Sequence, residues 1–389
     1  MSANFVQLGS VAEFINGAAF KPEDWNGSGA RIIRIQNLTD PSKPYNRTDR
    51  TVDDKLRVRP GELLVSWSAT LGVFEWIGPD DGVLNQHIFR VVPDKNKVAK
   101  SYLRHALEGA LIEMQRHLHG ATMQHVNRGE FLATKLFLPA LAEQRRIAEV
   151  LDRAEALRTK RRGTLVQLDT LTQSIFLDLF GDPATNPKGW PRVPFGELLT
   201  TIDSGWSPVC LDRPVTGNEW GVLKLGAVTW CEYNPAENKA MLPDVAPDPE
   251  LQVQPGDLLF TRKNTYELVA ACVLVQATPP RLQMSDLIFR FRLRPDANMD
   301  ACFLHRLLIY PTKRREIQKL AGGSASSMPN ISKARLQTVL IEAPPLPLQR
   351  DFARRVAEVE KLKAEYRASL VKLDNLFAAL QHRAFRGEL

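Results

Sequence analysis

Basic, amide and aromatic side chains that could read the edges of nucleic-acid bases occur in each half of the 389-residue chain. Arginine can donate two hydrogen bonds to guanine, and asparagine or glutamine can pair in the same way with adenine. The candidates in the first half are Arg31, Arg34, Gln36, Asn37, Arg47, Arg50, Ser66, Trp67, Asn85, Gln86 and His87. The candidates in the second half are Lys224, Trp230, Tyr233, Arg262, Lys263, Asn264, Tyr266, Gln283 and Ser285. We expect these side chains in loops, where they are free to reach a ligand.

Packing or simple solvation is the competing explanation for each of these residues, and the aromatic ones could equally belong to a core. The segment Arg262-Lys263-Asn264-Thr265 is the strongest candidate. Two cations directly after an apolar strand have little packing reason to be there.

Sequence signatures of catalysis are missing from the chain. There is no G-x-x-x-x-G-K-(S/T) phosphate loop, no (N/D)-P-P-(Y/F) base-methylation motif and no H-E-x-x-H. Pro79-Asp80-Asp81 is interpreted as a turn, because no Glu-x-Lys follows it as in a nuclease. The cysteines lack C-x-x-C spacing and are predicted to be reduced core thiols. We therefore predict no catalytic residue and no metal site.

The elements that must position the candidates occur twice. Residues 139–182 align without gaps with a second copy that lies within 344–389. Pro139 falls on Pro344, so each residue falls on the one 205 positions later. Apolar residues recur at spacings of three and four, at Ile147, Leu151, Ala154, Leu157, Leu165, Leu168, Leu171 and Ile175, and at Phe352, Val356, Val359, Lys363 (the exception), Tyr366, Leu370, Leu373, Phe377 and Leu380. This pattern predicts two long coiled-coil helices that pack on each other. Lys160-Arg161-Arg162 interrupts the first stripe and is interpreted as a solvated helix face.

The sequence before each helix is duplicated as well. The matched segments are 58–66 with 253–261 and 85–90 with 285–290. In the first of these, Pro-Gly before alternating apolar residues indicates a turn that leads into a strand. A helix is predicted after each set of strands, at 100–117 and at 300–320. Insertions accumulate in these regions while the long helices stay equal, which favours variable globules on a constant frame.

These patterns predict a mixed α/β (α+β) fold with two duplicated globules joined by a pair of long antiparallel coiled-coil helices. The predicted boundaries are 1–139 for the first globule, 140–180 for the first helix, 181–192 for a linker, 193–344 for the second globule and 345–389 for the second helix. An antiparallel pair would place the globules at opposite ends of one rod. A helix over 141–179 is about 58 Å long. This length limits the separation of the two globules to about 17 base pairs of DNA.

The composition is that of a soluble globular protein, with 44% hydrophobic and 24% charged residues. The longest apolar run is too short to span a bilayer, and the first residues lack the features of a secretory signal. We therefore expect a cytoplasmic protein without a membrane partner. A net charge of +7 is compatible with a nucleic-acid partner but is weak evidence alone.

The order of these motifs resembles the specificity subunit of type I restriction-modification systems over essentially the whole chain. The matching segments are P-x-L-x-x-Q-R-x-(I/F)-A at 139–148 and 344–353, P-G-(E/D)-L-L in each half, N-Q-H-I-F at 85–89, T-R-K-N-T at 261–265, L-F-G-D-P at 179–183 and A-F-R-G-E-L at 384–389. Each pattern alone is weak. Their shared order and their duplication make the resemblance specific.

The resemblance implies that each globule is a target recognition domain for one half of a bipartite double-stranded DNA sequence. It implies that the helices fix the spacer and dock two methyltransferase (modification) subunits, and that a restriction/translocase subunit joins for restriction. The chain itself would then be a non-catalytic recognition subunit without a cofactor, with S-adenosylmethionine, ATP and Mg on the partner subunits. Base-contacting residues do not carry over, because recognition domains diverge with the sequence that they read.

Two other functions stay open at this point. The chain could be the recognition module of another bipartite methyltransferase or nuclease system, which methylation of DNA by the purified chain would favour. It could also be a coiled-coil assembly protein without DNA specificity. Weak, sequence-independent binding in the presence of partners would favour that alternative.

Overall fold

Short strands and two long helices build the chain, which the computed structural model describes over residues 4–117, 128–322 and 328–389. The chain divides into two compact units, Met1–Thr164 with Tyr366–Leu389 and Leu165–Glu365. Each long helix contributes a segment to both units. Within the described ranges, no helix is long and apolar enough to cross a membrane.

The first unit contains the strands and the three shorter helices of the first half, together with a segment of each long helix. Its strands are β1 (Phe5–Gln7), β2 (Ala12–Asn16), β3 (Ala30–Ile33), β4 (Arg47–Thr48), β5 (Arg57–Val58), β6 (Leu63–Ser66), β7 (Gly72–Glu75), β8 (Gly82–Leu84), β9 (Ile88–Pro93) and β10 (Lys135–Phe137). Its helices are α1 (Ile35–Thr39), α2 (Lys100–His117), α3 (Arg128–Ala133) and the first part of the long α4 (Leu141–Phe180).

Eight strands of the first unit form two four-stranded sheets. One sheet has the order β2-β9-β6-β7 and is antiparallel, and the other has the order β4-β3-β8-β5 with β3 parallel to β8. β1 and β10 form a separate antiparallel pair. Along β6, Leu63 and Val65 belong to one core and Leu64 to another. Successive side chains of a strand point to opposite faces, so β6 is buried on both.

The second unit contains the corresponding elements. Its strands are β11 (Arg192–Pro194), β12 (Leu199–Ser204), β13 (Gly221–Leu223), β14 (Asn238–Ala240), β15 (Leu258–Thr261), β16 (Cys272–Leu274), β17 (Leu282–Gln283), β18 (Ile288–Leu293) and β19 (Leu340–Glu342). Its helices are α5 (Gly226–Thr229), α6 (Ala301–Ile309), α7 (Pro311–Gln318), α8 (Lys333–Gln337) and the first part of the long α9 (Leu346–Ala384).

The topology of the second unit repeats that of the first. Its larger sheet has the order β12-β18-β15-β16, and its smaller sheet has the order β14-β13-β17 with β13 parallel to β17. β11 pairs with β19 as β1 pairs with β10. Leu258 and Phe260 of β15 belong to one core and Leu259 to another. The predicted mixed α/β fold with two duplicated globules is confirmed.

The duplicated P-G-(E/D)-L-L segments combine a turn with an ion pair. Gly61 and Gly256 have φ of 86° and 93°, a conformation that glycine adopts without steric cost. The acid that follows each glycine binds an arginine of the adjacent strand, Glu62 with Arg90 at 2.5 Å and Asp257 with Arg290 at 3.2 Å. Burial opposes the ionised form of Glu62, but the hydrogen bonds that it accepts outweigh burial and lower its pKa.

The predicted helix over 300–320 is interrupted. α6 ends at Ile309 and α7 begins at Pro311, with Tyr310 between them at φ −59° and ψ 133°. Proline has no amide hydrogen, and its ring disfavours the helical conformation of the residue before it. The break therefore follows from one residue that the apolar pattern did not take into account.

The two long helices pack on each other in antiparallel fashion within each unit. In the first unit Arg158 of α4 binds Asp374 of α9 at 2.5 Å, and in the second Lys363 of α9 binds Asp169 of α4 at 2.7 Å. Much of the predicted seam of α9 is buried, including Phe352, Val356, Val359, Lys363 and Phe377. The helix ends at Ala384, five residues before the predicted end.

Arginine replaces leucine in part of the predicted seam. Leu157 and Leu171 are 54% and 45% exposed, so their assignment to the seam is wrong. The next residue after Leu157 makes the contact with α9 instead: the guanidinium of Arg158 lies 4.3 Å from the ring centroid of Phe377. A long arginine side chain can cover an aromatic ring while its charge stays near water.

The interpretation of Lys160-Arg161-Arg162 as a solvated face needs the same correction. The guanidinium of Arg161 lies 4.3 Å from the ring centroid of Tyr366. Arg162 binds Asp374 at 3.1 Å. Both arginines therefore take part in the contact between the helices, whereas Lys160 is exposed.

A buried glutamine ties each globule to its long helix. Gln144, in the first turns of α4, accepts from the amide of Ala99 at 2.8 Å and donates to the carbonyls of Lys97 and Pro139 at 2.9 and 2.8 Å. Its amide thus joins the segment before α2 to the segment before α4. We call this arrangement the glutamine clamp.

The second unit has the same clamp at the matching position. Gln349 accepts from the amide of Asp300 at 2.8 Å and donates to the carbonyls of Asn298 and Pro344 at 3.1 and 2.7 Å. Both glutamines are fully buried. The duplicated P-x-L-x-x-Q-R motif is therefore explained by three hydrogen bonds to backbone groups in each unit.

We predict that Gln144→Leu destabilises the first unit by roughly 2 to 5 kcal/mol, because three buried backbone groups lose their partner at once. Gln349→Leu should affect the second unit in the same way. The measurement is urea unfolding of the full chain. Arg145→Ala and Arg350→Ala are the matched controls, since both neighbours are exposed and should change stability by less than about 0.5 kcal/mol. Equal midpoints for a clamp variant and its control would contradict this role.

Candidate nucleic-acid interface

A matching edge in each globule brings together segments that carry several candidates. Trp67 follows β6, and its amide donates to the carbonyl of His87 at 3.2 Å. Arg262 follows β15, and its amide donates to the carbonyl of Leu287 at 3.1 Å. These bonds extend the β6–β9 and β15–β18 ladders by one residue. We call the two places the first and second strand-end sites.

The first strand-end site is built from aromatic rings. Trp67 stacks on Phe89 with a centroid distance of 5.7 Å, and its indole donates to the side-chain oxygen of Asn16 at 3.2 Å. The ring of His87 lies 4.9 Å from that of Trp67. The backbone of His87 has φ 72°, which is uncommon for a residue with a side chain. These contacts fix two half-exposed rings at the end of the sheet.

The second strand-end site has cations in the corresponding place. The guanidinium of Arg262 lies 5.0 Å from the ring centroid of Phe289 and donates to the side chain of Asn330 at 3.1 Å. It also donates to the carbonyl of Asp286 at 3.3 Å. Lys263 is half-exposed and forms no ion pair within the described ranges. The predicted cation pair therefore lies at the sheet end, with Arg262 fixed and Lys263 open to solvent.

Exposed aromatic residues lie beside the second strand-end site in sequence. Trp230 is 72% exposed and Tyr266 is 53% exposed. A buried hydrogen bond from Asn264 to the hydroxyl of Thr229, at 3.2 Å, connects the segments that carry them. Single exposed apolar residues are common. Two large rings on segments joined by a buried side-chain bond are a stronger sign of a contact surface.

The arginine candidates of the first globule are held by internal contacts. These are ion pairs of Arg31 with Asp80 (2.5 Å) and of Arg50 with Asp24 (3.3 Å), a hydrogen bond from Arg47 to the carbonyl of Gly29 (2.8 Å), and the approach of Arg34 to the ring of Trp25 (5.3 Å). The amides are less constrained. Gln36 and Gln86 are exposed and Asn85 is half-exposed, and their side chains have no hydrogen-bond partner in the described part of the chain.

Five candidates are buried, so the expectation of exposed loop positions is wrong for them. They are Asn37, Ser66, Asn264, Gln283 and Ser285. The amide of Asn37 gives the physical reason, because it donates to the carbonyls of Lys43 and Pro44, each at 3.2 Å. Such side chains satisfy turns of the backbone. They carry no proposed contact with a ligand.

Two further candidates have local partners. Lys224 pairs with Glu237 at 3.4 Å. The hydroxyl of Tyr233 lies 2.7 Å from that of Thr278, and burial raises the pKa of its phenol. Tyr233 also packs against a core cluster of the second unit. Lys224 thus remains near the surface, and Tyr233 is mainly a packing residue.

His105, Asp152 and Glu155 are the described residues that approach the arrangement of a metal site, with ligand atoms within 4.8 Å of one another. Arg104 already occupies this place, at 2.8 Å from Asp152 and 2.7 Å from Glu155. Burial disfavours its charge, but the hydrogen bonds and charges of the carboxylates outweigh burial and raise the pKa of Arg104. The cluster is therefore an ionic contact between α2 and α4.

The cysteines form no disulfide. Cys210, Cys231, Cys272 and Cys302 are all free. Cys272 is fully buried and the others are half-buried, so the prediction of core thiols fits Cys272 best. Burial raises the pKa of the Cys302 thiol to about 11, which keeps it protonated near neutral pH.

Comparison with known proteins gives matches along the chain. A model of the type I restriction modification DNA specificity domain matches residues 3–167. The EcoBI specificity subunit of Escherichia coli is 22% identical over 424 residues, covering 99% of this chain and 85% of that protein. The EcoEI specificity subunit of Escherichia coli is 34% identical over 168 residues, covering 43% of this chain and 28% of that protein.

The fold comparison extends over the whole chain. The crystal structure of the S subunit of a type I restriction-modification system from M. genitalium superposes with a TM-score of 0.57 at 13% identity, covering 99% of this chain and 96% of that one. The chain shares its fold with this S subunit, and its residues 3–167 match the type I restriction modification DNA specificity domain. Over the EcoEI match, the chain spans 28% of its relative's length.

Two cations at the strand-end sites are not among the predicted candidates. The guanidinium of Arg128, the first residue of α3, lies 5.9 Å from the ring centroid of Phe89. The ammonium of Lys333, the first residue of α8, lies 5.6 Å from that of Phe289. The repeat register could have found them, since Arg128 falls on Lys333, 205 positions later.

Proposed function

We propose that this chain binds double-stranded DNA at two separate half-sites, and that each globule reads one of them. We call the base sequence of a half-site a word. The observation that carries this proposal is the pair of strand-end sites, which share a backbone frame but display different side chains. Trp67 and His87 stand where Arg262 and Leu287 stand in the second globule. A common frame with different chemistry suits two different words.

The readers that we propose are taken from the accessible candidates. In the first globule they are Gln36, Asn85, Gln86, Trp67 and His87, and in the second they are Lys263, Trp230 and Tyr266. Amides can discriminate adenine, and aromatic rings can contact thymine methyl groups or stack on bases. Each good base contact contributes about 1 to 3 kcal/mol of discrimination.

The long helices are proposed to set the spacer between the words. α4 has 40 residues and α9 has 39, which corresponds to about 60 Å at 1.5 Å per residue. The two helices thus differ by one residue in length while the globules vary. A spacer that is independent of the words follows from this proposal.

Repeat-equivalent leucines support the proposal that the helices dock two methyltransferase subunits. Leu157 and Leu376 are 54% and 50% exposed in the first unit, and Leu362 and Leu171 are 44% and 45% exposed in the second. The register places Leu157 on Leu362 and Leu171 on Leu376. Each leucine that becomes fully buried in an interface contributes roughly 1.5 to 3 kcal/mol.

The remaining chemistry is assigned to partners in this proposal. The chain would not catalyse methylation or cleavage, and S-adenosylmethionine, ATP and Mg would bind to the methyltransferase and restriction/translocase subunits. Its place of action would be the cytoplasm, where it meets DNA. No observation favours an assembly protein without DNA specificity, because such a protein has no use for two strand-end sites with unpaired cations.

We predict that methylome sequencing of cells with the complete system reveals a two-word target, and that variants of one globule change one word. Trp230→Ala with Tyr266→Ala should loosen one word, and Gln36→Ala with Gln86→Ala should loosen the other. The spacer should stay constant in both. These side chains are exposed, so the folded chain should retain its stability. A single continuous target, or a variant that alters both words, would refute the proposal.

We also predict that Leu157→Glu with Leu376→Glu removes one of two bound methyltransferase copies, and that Leu171→Glu with Leu362→Glu removes the other. Burying a carboxylate in an apolar contact is strongly unfavourable. Light scattering of the purified complex measures the copy number. Gln167→Glu with Lys372→Glu is the control, because both residues are exposed and repeat-equivalent but polar. Two retained copies in both leucine variants would rule out this docking surface.

A further inference from the structure

The cations at the two strand-end sites are held without being neutralised. Arg128 is exposed, donates to the carbonyl of Phe14 at 3.2 Å and lies over Phe89. Lys333 is exposed and lies over Phe289. Within the described ranges neither forms an ion pair. An aromatic ring attracts a cation with about 0.5 to 1 kcal/mol at an exposed site, and it leaves the full charge available to a ligand.

Arginines on the neighbouring strand positions form ion pairs instead. Arg90, next to Phe89, binds Glu62 at 2.5 Å, and Arg290, next to Phe289, binds Asp203 at 3.0 Å. These arginines have their charge satisfied inside the sheet. Within the described ranges Arg128 and Lys333 therefore keep an uncompensated charge, as Lys263 does, whereas these two arginines do not.

The position is constant while its surroundings change. Arg128 and Lys333 share one place in the repeat and the same strand phenylalanine below them, Phe89 or Phe289. The residue beside that phenylalanine is Trp67 in one globule and Arg262 in the other. A group that is constant between two readers of different words suits a ligand feature that is common to both words. In DNA that feature is the phosphate backbone.

We infer that Arg128 and Lys333 are equivalent phosphate anchors that fix each globule on the DNA backbone without reading sequence. The inference rests on the proposed function and names the ligand group for one position in each strand-end site. The neighbouring side chains would then reach base edges from a fixed register.

The test measures binding of the full-length chain, in the complex that co-purifies with it, to its mapped target duplex and to a duplex of random sequence over a range of salt. Arg128→Ala and Lys333→Ala should each weaken both duplexes by the same factor. Each should lower the slope of log affinity against log salt by about 0.9, the value for one phosphate contact. The methylated target sequence should stay unchanged. Arg128→Lys and Lys333→Arg should retain the slope.

The controls separate this inference from its alternatives. Lys135→Ala and Lys319→Ala each remove one exposed positive charge from a unit. They should leave the slope unchanged. An unchanged slope in Arg128→Ala and Lys333→Ala would overturn the inference, as would loosening of one word or loss of a co-purified subunit. If the parent complex shows no two-word target, the proposed function fails instead, and the slope with the random duplex still tests the anchors.

Discussion

The attachment of each globule to its helix depends on the buried glutamine clamp. Gln144 and Gln349 each hold three backbone groups, one amide and two carbonyls, that belong to different segments of the chain. A buried backbone group without a partner is costly, so this geometry tolerates little change. The clamp fixes where the helix after the sheet starts. The strand-end sites lie at the end of the sheet whose core side chains pack with those of this helix.

The frame could be predicted from the sequence because its two copies align without a gap. Leucine and phenylalanine at coiled-coil spacing predicted α4 and α9, and Pro-Gly followed by an acid predicted the turns before β6 and β15. The contacts of Arg158 and Arg161 with aromatic rings were missed, because neither arginine falls at an apolar position of the predicted stripe. The break before Pro311 was missed because the apolar pattern continues across it.

The candidate site was less predictable, since residue type says little about burial. Asn37 and Gln283 look like readers of adenine in sequence, yet both are buried. Arg128 and Lys333 were not predicted as candidates, because single cations at the start of short helices are common. Only the comparison of the two globules shows that both lie over equivalent phenylalanines. A duplicated chain thus separates constant positions, which suit the frame and the DNA backbone, from variable ones, which suit sequence reading.

The central claim is that each unit is an independent reader on an interchangeable frame. A chain that carries the second unit twice tests it most directly. Residues 193–365 are followed by 161–365 and then by 161–180, with joins at Glu365 and Arg161, because the register places Lys160 on Glu365. Methylome sequencing should return a target made of two copies of one word with the original spacer. The original pair of different words, or no methylation from a folded and partner-bound chain, would contradict the account.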